Sequence, residues 1–180
     1  MTDEARLAPQ PHGLLPVGDG WFTVNVRDAA WYRNERFGAS CIFEHHATGF
    51  PEVGIRLRIL EPGQPNGLYH AEMDQEDFLV LSGECLLLVE EQERRLRAGD
   101  FVHCPAGTAH IFIGSGDGPC AIFMLGARAN GSIVYPRSEV ALAHAAGAES
   151  ETASPDEAYA ASPPWEPGRP ESIVMPWDSE

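Results

Sequence analysis

The sequence predicts an all-β domain built as a sandwich or barrel, and two observations support this prediction. First, short apolar or β-branched runs alternate with glycine and proline turns across residues 21–135, which is typical of consecutive strands. Second, no long helical pattern separates these runs, which argues against a parallel sheet with crossover helices. At least eight strands in about 115 residues favour a closed or two-layered antiparallel architecture.

The strands are expected wherever such a run is bounded by turn residues. Residues 29–36 alone show a weak helical pattern. The remaining runs alternate or are continuously apolar, as in half-buried and buried strands. The expected strands are residues 22–26, 40–43, 55–60, 78–81, 85–89, 94–97, 101–104, 110–113 and 121–125.

The length of 180 residues suits one main core with appendages. We predict an N-terminal arm over residues 1–19, a barrel over residues 20–135 and an acidic, proline-rich C-terminal extension over residues 136–180. Between Glu139 and Glu180 there are nine acidic residues and one arginine. Short helices are expected at residues 138–144 and at residues 154–157, where Ser154 can cap the helix and Pro155 can begin it.

Large apolar side chains in the extension predict that it docks on the barrel or on a neighbouring subunit, because a purely solvated tail has little use for them. These side chains are Trp165, Ile173, Val174, Met175 and Trp177.

The charged residues of the chain exclude several classes of function. There are 12 basic residues, all arginine, against 27 acidic ones, so the net charge is −15. The absence of lysine excludes Schiff-base catalysis and a P-loop nucleotide site. The acidic balance disfavours nucleic acid and anionic membranes, which are polyanions. We therefore expect a small molecule, a metal or another protein as partner.

The sequence also predicts a cytoplasmic location. Residues 1–10 lack the basic and apolar pattern of a signal peptide, and no run approaches a membrane span. The four cysteines show no CxxC spacing, so we expect reduced and mostly buried thiols. They are Cys41, Cys85, Cys104 and Cys120.

Two stretches carry residues capable of chemistry. In residues 69–83, His70 and Glu72 lie two apart, so a strand would direct both to one face, and a turn over residues 73–75 could bring Glu76 beside them. In residues 99–110, a proline and glycine turn delivers His110 onto the next strand.

These stretches resemble the paired motifs of the cupin superfamily, HxHx(3,4)Ex(6)G and Gx(5)PxGx(2)Hx(3)N. Three departures are Glu72, where the family has a second histidine, Gly63, to which the glycine of the first motif is offset, and Gly114, where the family has asparagine. The resemblance implies a double-stranded β-helix, or cupin jelly roll, between the arm and the extension, and it suggests a homodimer. The matching residues are His70, Glu76 and Gly83 in the first motif, and Gly99, Pro105, Gly107 and His110 in the second.

The resemblance also implies one divalent metal ion, held by His70, Glu76 and His110, with Glu72 as a further expected ligand. A carboxylate at position 72 is acceptable to Fe, Mn or Zn, and the metal's identity stays open. The implied function is dioxygenase or isomerase-type chemistry on a small molecule, without an organic cofactor. The alternative is a non-catalytic module that binds a small molecule or a partner protein, with a vestigial or structural site.

The other polar residues favour plainer roles. We expect Asp74 to be a turn residue and His103 to be a structural histidine. His45 and His46 are expected to be solvated. Three arginines, at positions 56, 58 and 128, would suit a carboxylate substrate if they faced the cavity, but an outward orientation is the commoner one on alternating strands.

Overall fold

The computed structural model describes residues 2–45, 49–170 and 175. Within these ranges the chain forms fourteen strands and two short helices, and every pairing between the strands is antiparallel. The predicted all-β class is therefore confirmed. The elements are β1 (Arg6–Gln10), β2 (Gly13–Val17), β3 (Ala30–Asn34), β4 (Gly38–Ile42), β5 (Val53–Leu60), β6 (Ala71–Glu72), β7 (Glu76–Ser82), β8 (Glu84–Val89), β9 (Gln92–Arg97), β10 (Phe101–Cys104), β11 (His110–Ser115), β12 (Cys120–Ala127), β13 (Ile133–Val134), α1 (Glu139–Ala143), α2 (Pro155–Ala158) and β14 (Glu166–Pro167).

Two sheets pack face to face to make the barrel. The larger sheet has the strand order β10-β7-β12-β5-β4-β3-β14, and the smaller one has the order β11-β8-β9. The core between them takes apolar side chains from both sheets, including Phe78 and Ile122 from the larger sheet and Leu87 and Phe112 from the smaller. This arrangement is the double-stranded β-helix that the family resemblance implies.

The outer face of the larger sheet is also buried. Trp31, Leu57, Ile59 and Met175 form a second apolar cluster there. Val24 packs against this cluster. Because side chains alternate along a strand, Leu57 and Ile59 of β5 point outward and Arg58 points into the barrel. The apolar row of β5 thus marks the outer face, not the core between the sheets.

Two of the expected elements near the N-terminus are wrong. Residues 22–26 are not a strand, although Val24 and Val26 pack on the outer face of the larger sheet. The weakly helical segment 29–36 contains β3, which pairs with β4. Pairing and burial of Trp31 outweigh a weak local preference, because propensity differences are a fraction of a kcal/mol per residue.

The C-terminal extension docks on the barrel. Ser138 and Ser154 cap α1 and α2 by accepting hydrogen bonds from Ala141 N and Glu157 N, so both expected helix starts are confirmed. Ala141 packs with Ile111 and Leu88 on the outer face of the smaller sheet. Trp165 lies over Arg58, and Met175 is buried. The other predicted docking residues, Ile173, Val174 and Trp177, lie outside the described residues.

All four cysteines are buried and unpaired, as predicted. Among the residues described, no helix has the length and apolar character needed to cross a membrane.

We predict that deleting residues 137–180 lowers the melting temperature, because the deletion uncovers apolar surface on the outer faces of both sheets. A narrower test is Met175→Ala, which removes one buried side chain and should cost about 2–5 kcal/mol of unfolding free energy. Met175→Leu is the matched control and should cost less than about 1.5 kcal/mol. Chemical denaturation measures all three. An unchanged midpoint in the deletion variant would show that the extension contributes no stability.

Candidate metal centre

Three segments bring His70, Glu76 and His110 to one end of the barrel interior. Glu76 begins the inward row of β7 that continues with Phe78, and His110 begins the inward row of β11 that continues with Phe112. His70 lies opposite His110 and exchanges two backbone hydrogen bonds with it, of 3.2 and 2.8 Å. Strand alternation and register therefore place the three side chains together.

The three side chains converge on one point. Glu76 Oε2 lies 3.3 Å from His110 Nε2 and 3.9 Å from His70 Nε2. One ligand atom from each residue lies within 4.8 Å of the other two. The Phe78 ring packs against the His110 ring at 5.1 Å between centroids, so the floor of this cluster is apolar.

Backbone carbonyls fix the orientation of both imidazoles. His70 Nδ1 lies 2.7 Å from Leu68 O, and His110 Nδ1 lies 3.0 Å from Thr108 O. A carbonyl oxygen only accepts hydrogen bonds, so each Nδ1 carries the proton and donates. The lone pair of each neutral ring is then on Nε2, which faces Glu76.

Burial determines the charge of this cluster. Burial, followed by the neighbouring His70, lowers the pKa of His110 to about 4, so its ring is neutral near pH 7. Burial, followed by the charge of Glu72, raises the pKa of Glu76 to about 8. Near pH 7 the Glu76 carboxyl therefore holds a proton that can lie between it and an imidazole lone pair, and a divalent ion would replace that proton. Imidazole nitrogen and carboxylate oxygen are ligands that Fe, Mn and Zn accept, so these residues fit a divalent metal.

Glu72 lies beside this cluster and outside the set of three. It is on β6, and its Oε1 is 4.0 Å from His70 Nε2. Its side chain is 35% exposed, against 14% for Glu76, so it lines the opening of the site. Burial, followed by the charge of Asp74, raises the pKa of Glu72. The predicted fourth ligand is thus close to the site without sharing its centre.

Asp74 and His103 have the supporting positions expected of them. Asp74 accepts hydrogen bonds from Asn130 N and Gly131 N, so it fixes the turn between β6 and β7. The hydrogen bond from Gly131 N, followed by that from Asn130 N, lowers the pKa of Asp74. His103 Nδ1 lies 2.7 Å from Asp77 Oδ1, and the ring is half exposed. Of the two neighbouring histidines at 45 and 46, His46 lies outside the described residues.

The cluster opens into a cavity of about 290 Å³. Its wall includes Arg56, Arg58 and Arg128, so the expectation that these arginines point outward is wrong. The sequence misled because the apolar residues of β5 cover the outer face of the sheet. Tyr135 and Tyr159 also line the cavity and were not anticipated. Tyr159 belongs to the extension, and its hydroxyl accepts a hydrogen bond from Leu68 N at 3.0 Å.

A larger cleft of about 940 Å³ lies between β3, β4 and residues 163–170. Its lining is rich in proline and glycine, and it does not include the histidines of the cluster. We therefore place the chemistry in the smaller cavity.

Backbone conformation and close packing explain why glycine occupies three positions of the two motifs. Gly83 has φ of +70° and Gly107 has φ of +83°, in the region that L side chains rarely adopt. A Cβ at Gly114 would lie 2.2 Å from the backbone oxygen of Glu61. The asparagine of the family motif therefore cannot occupy position 114 without displacing the chain around Glu61.

Residues 56–126 match a family model described as a cupin domain. No curated protein sequence is detectably similar to the chain. Among solved structures, a provisionally assigned sugar phosphate isomerase from Acidithiobacillus ferrooxidans is 31% identical, with a TM-score of 0.44, and the match covers 48% of this chain and 56% of that one. This chain thus matches little more than half the length of that protein.

Two further solved structures are similar. The polyketide cyclase RemF from Streptomyces resistomycificus is 14% identical with a TM-score of 0.50, over 58% of this chain and 78% of that one. A cupin family protein with a double-stranded β-helix fold from Methanocaldococcus jannaschii is 18% identical with a TM-score of 0.41, over 44% of this chain and 73% of that one. At this identity, the match to the cyclase shows the fold alone.

We predict that Gly114→Asn destabilises the protein by about 1–3 kcal/mol or more, because the new side chain must displace backbone. Gly118→Asn is the matched control, since a Cβ at Gly118 meets nothing within 4 Å. Urea denaturation of both variants measures the difference. Equal stability of the two variants would contradict the steric explanation of the motif departure.

Proposed function

Because this chain belongs to the cupin superfamily through residues 56–126, we propose that it is a metal-dependent enzyme acting on a small molecule. The observation that carries the proposal is the convergence of three acceptors, His70 Nε2, His110 Nε2 and Glu76 Oε2, within 4.8 Å of one another at the end of a cavity. Burying these groups is costly unless a proton or a cation lies between them, and a divalent ion would bind all three at once.

In this proposal His70, Glu76 and His110 hold one divalent ion. When bound, the ion supplies Lewis acidity or, if it is ferrous iron, a site for oxygen chemistry. The residues of the chain orient the ligands of this ion. The carbonyls of Leu68 and Thr108 keep both imidazoles turned toward the site.

The reaction class that the geometry supports best is isomerase-type proton transfer. Glu72 carries this assignment, since it is a carboxylate that lines the cavity next to the ligand cluster without belonging to it. A base in that position can take a proton from one carbon of a bound substrate and return it to another.

Dioxygenation is the second candidate, and a different observation favours it. Two histidines and one carboxylate are the protein ligands of many non-haem iron oxygenases, where open positions serve substrate and O₂. The two candidates separate by experiment. A metabolite screen on iron-loaded protein with an oxygen electrode detects dioxygenation, whereas exchange of substrate hydrogen with deuterated water, without O₂ uptake, detects proton transfer.

We predict about one divalent ion per chain in carefully purified protein. His110→Ala should lower the metal content to near zero, because it removes a buried ligand. His103→Ala is the matched control, since His103 is bound to Asp77 and not to the cluster, and it should retain the metal. Elemental analysis by mass spectrometry measures all three proteins.

Wild-type protein that contains no metal and rebinds none of Fe, Mn or Zn would contradict the enzyme proposal. It would favour the alternative, a non-catalytic binding or interaction module with a vestigial site.

We predict a division of roles between Glu72 and Glu76. Glu76→Gln should lose metal, whereas Glu72→Gln should keep metal and lose turnover by about a hundredfold or more, as is typical of a removed general base. Glu72→His restores the usual family residue and should bind metal with a changed metal preference. Metal content and turnover are measured on the same samples. Loss of metal in Glu72→Gln would instead make Glu72 a ligand.

The homodimer and the cytoplasmic location are finer parts of the same proposal. They derive from the family resemblance and from the sequence pattern. Multi-angle light scattering of the purified protein tests the dimer, and fractionation of cells tests the location.

A further inference from the structure

Arg58 is a buried cation on the cavity wall. It lies on the inward face of β5, opposite Ile122 of β12, and is only 8% exposed. Its Nε and Nη1 atoms have no hydrogen-bond partner among the described residues, and within the same residues no carboxylate pairs with it. The ring of Trp165 covers its guanidinium at 4.6 Å from the ring centroid. The charge is thus shielded from water without a counter-charge.

Such a group is costly to keep. Burying an arginine without an anion destabilises a fold, and an apolar residue of similar volume is usually better tolerated. Burial, followed by the charge of Arg56, lowers the pKa of Arg58 to about 9, in keeping with a cation that lacks an anion. A cation retained at this cost indicates a role in binding.

The other arginines on the cavity wall differ from Arg58. Arg128 is neutralised by Glu44, through bonds of 2.5 Å to Oε1 and 2.9 Å to Oε2, and it also donates to Phe50 O. Arg56 is exposed to solvent. Arg58 therefore leaves one buried positive charge uncompensated in the cavity that holds Glu72 and Glu76.

We propose that the cavity binds a small carboxylic acid, with its carboxylate on Arg58 and the rest of the molecule toward the histidine cluster. One buried charge matches a monoanion, and a phosphate dianion would bring surplus negative charge beside Glu72 and Glu76. The identification of this acid as the substrate rests on the proposed function; the anion site itself does not.

The test compares benzoate with benzamide, its neutral isostere, and with inorganic phosphate at constant ionic strength. Wild-type protein should bind benzoate, seen by calorimetry and as a higher melting temperature, and should bind benzamide and phosphate more weakly. Arg58→Met should weaken benzoate binding by about tenfold or more, because it removes the charged donor. Without ligand, the variant should melt at or above the wild-type temperature, since it removes an unpaired buried charge.

The controls separate this role from folding. Arg95→Met, at an exposed position on β9, should leave benzoate binding unchanged. Trp165→Leu, at a partly exposed position, removes the ring that covers the Arg58 guanidinium and should weaken benzoate binding even if Arg58→Met fails to fold. Benzoate binding that survives in Arg58→Met, tighter binding of phosphate than of benzoate, or no binding of benzoate at all would each overturn the proposal.

Metal content is measured on the same samples, as purified and after chelation. Benzoate binding in protein that never takes up metal would leave the anion site standing and reject the enzyme. Metal uptake without any benzoate response would reject the anion site and leave the enzyme proposal standing.

Discussion

The contact between Phe78 and Phe112 is the interaction on which the rest of the site depends. Their ring centroids lie 4.7 Å apart, and they join the two sheets directly below the histidine cluster. Because Glu76 and His110 begin the same inward rows, this contact sets the distance between the carboxylate and the imidazole. Close packing makes that distance stiff, since interior side chains have little free volume in which to shift. An apolar contact thus determines the geometry of a polar site.

Side-chain directions that follow from strand alternation can be predicted from the sequence. Directions that depend on which segment covers the outer face of the larger sheet cannot. His70, Glu76 and His110 are predictable because strand alternation and motif spacing determine their direction. The inward direction of Arg58 is not predictable, because its strand is apolar on the face away from the barrel. Nothing in residues 55–60 indicates which face Val24, Val26 and Met175 will cover. The same reason explains segment 29–36, where pairing with β4 decides the conformation.

Charges inside the barrel follow one pattern. Two charged groups have polar partners. Asp74 accepts hydrogen bonds from the backbone amides of Asn130 and Gly131, and Arg128 forms an ion pair with Glu44. The Arg58 guanidinium has no such partner among the described residues, whereas Glu76 Oε2 faces His110 Nε2 at 3.3 Å and His70 Nε2 at 3.9 Å. An anion would neutralise Arg58, a divalent ion would fit the cluster, and both groups lie on one cavity. The cavity therefore suits a metal ion at the cluster and an acid at Arg58, bound side by side.

Tyr159 on the cavity wall and Trp165 over Arg58 are added late to the site during synthesis. Both belong to the extension, whereas the cluster and Arg58 belong to the barrel that precedes it. During synthesis the barrel sequence leaves the ribosome first, and domains generally fold from the N-terminus onward. The ligand cluster can therefore form before Tyr159, which closes one part of the cavity wall, and Trp165, which covers Arg58, are synthesised with the last fifth of the chain. Substitutions in that late segment can alter selectivity without passing through the folding of the barrel.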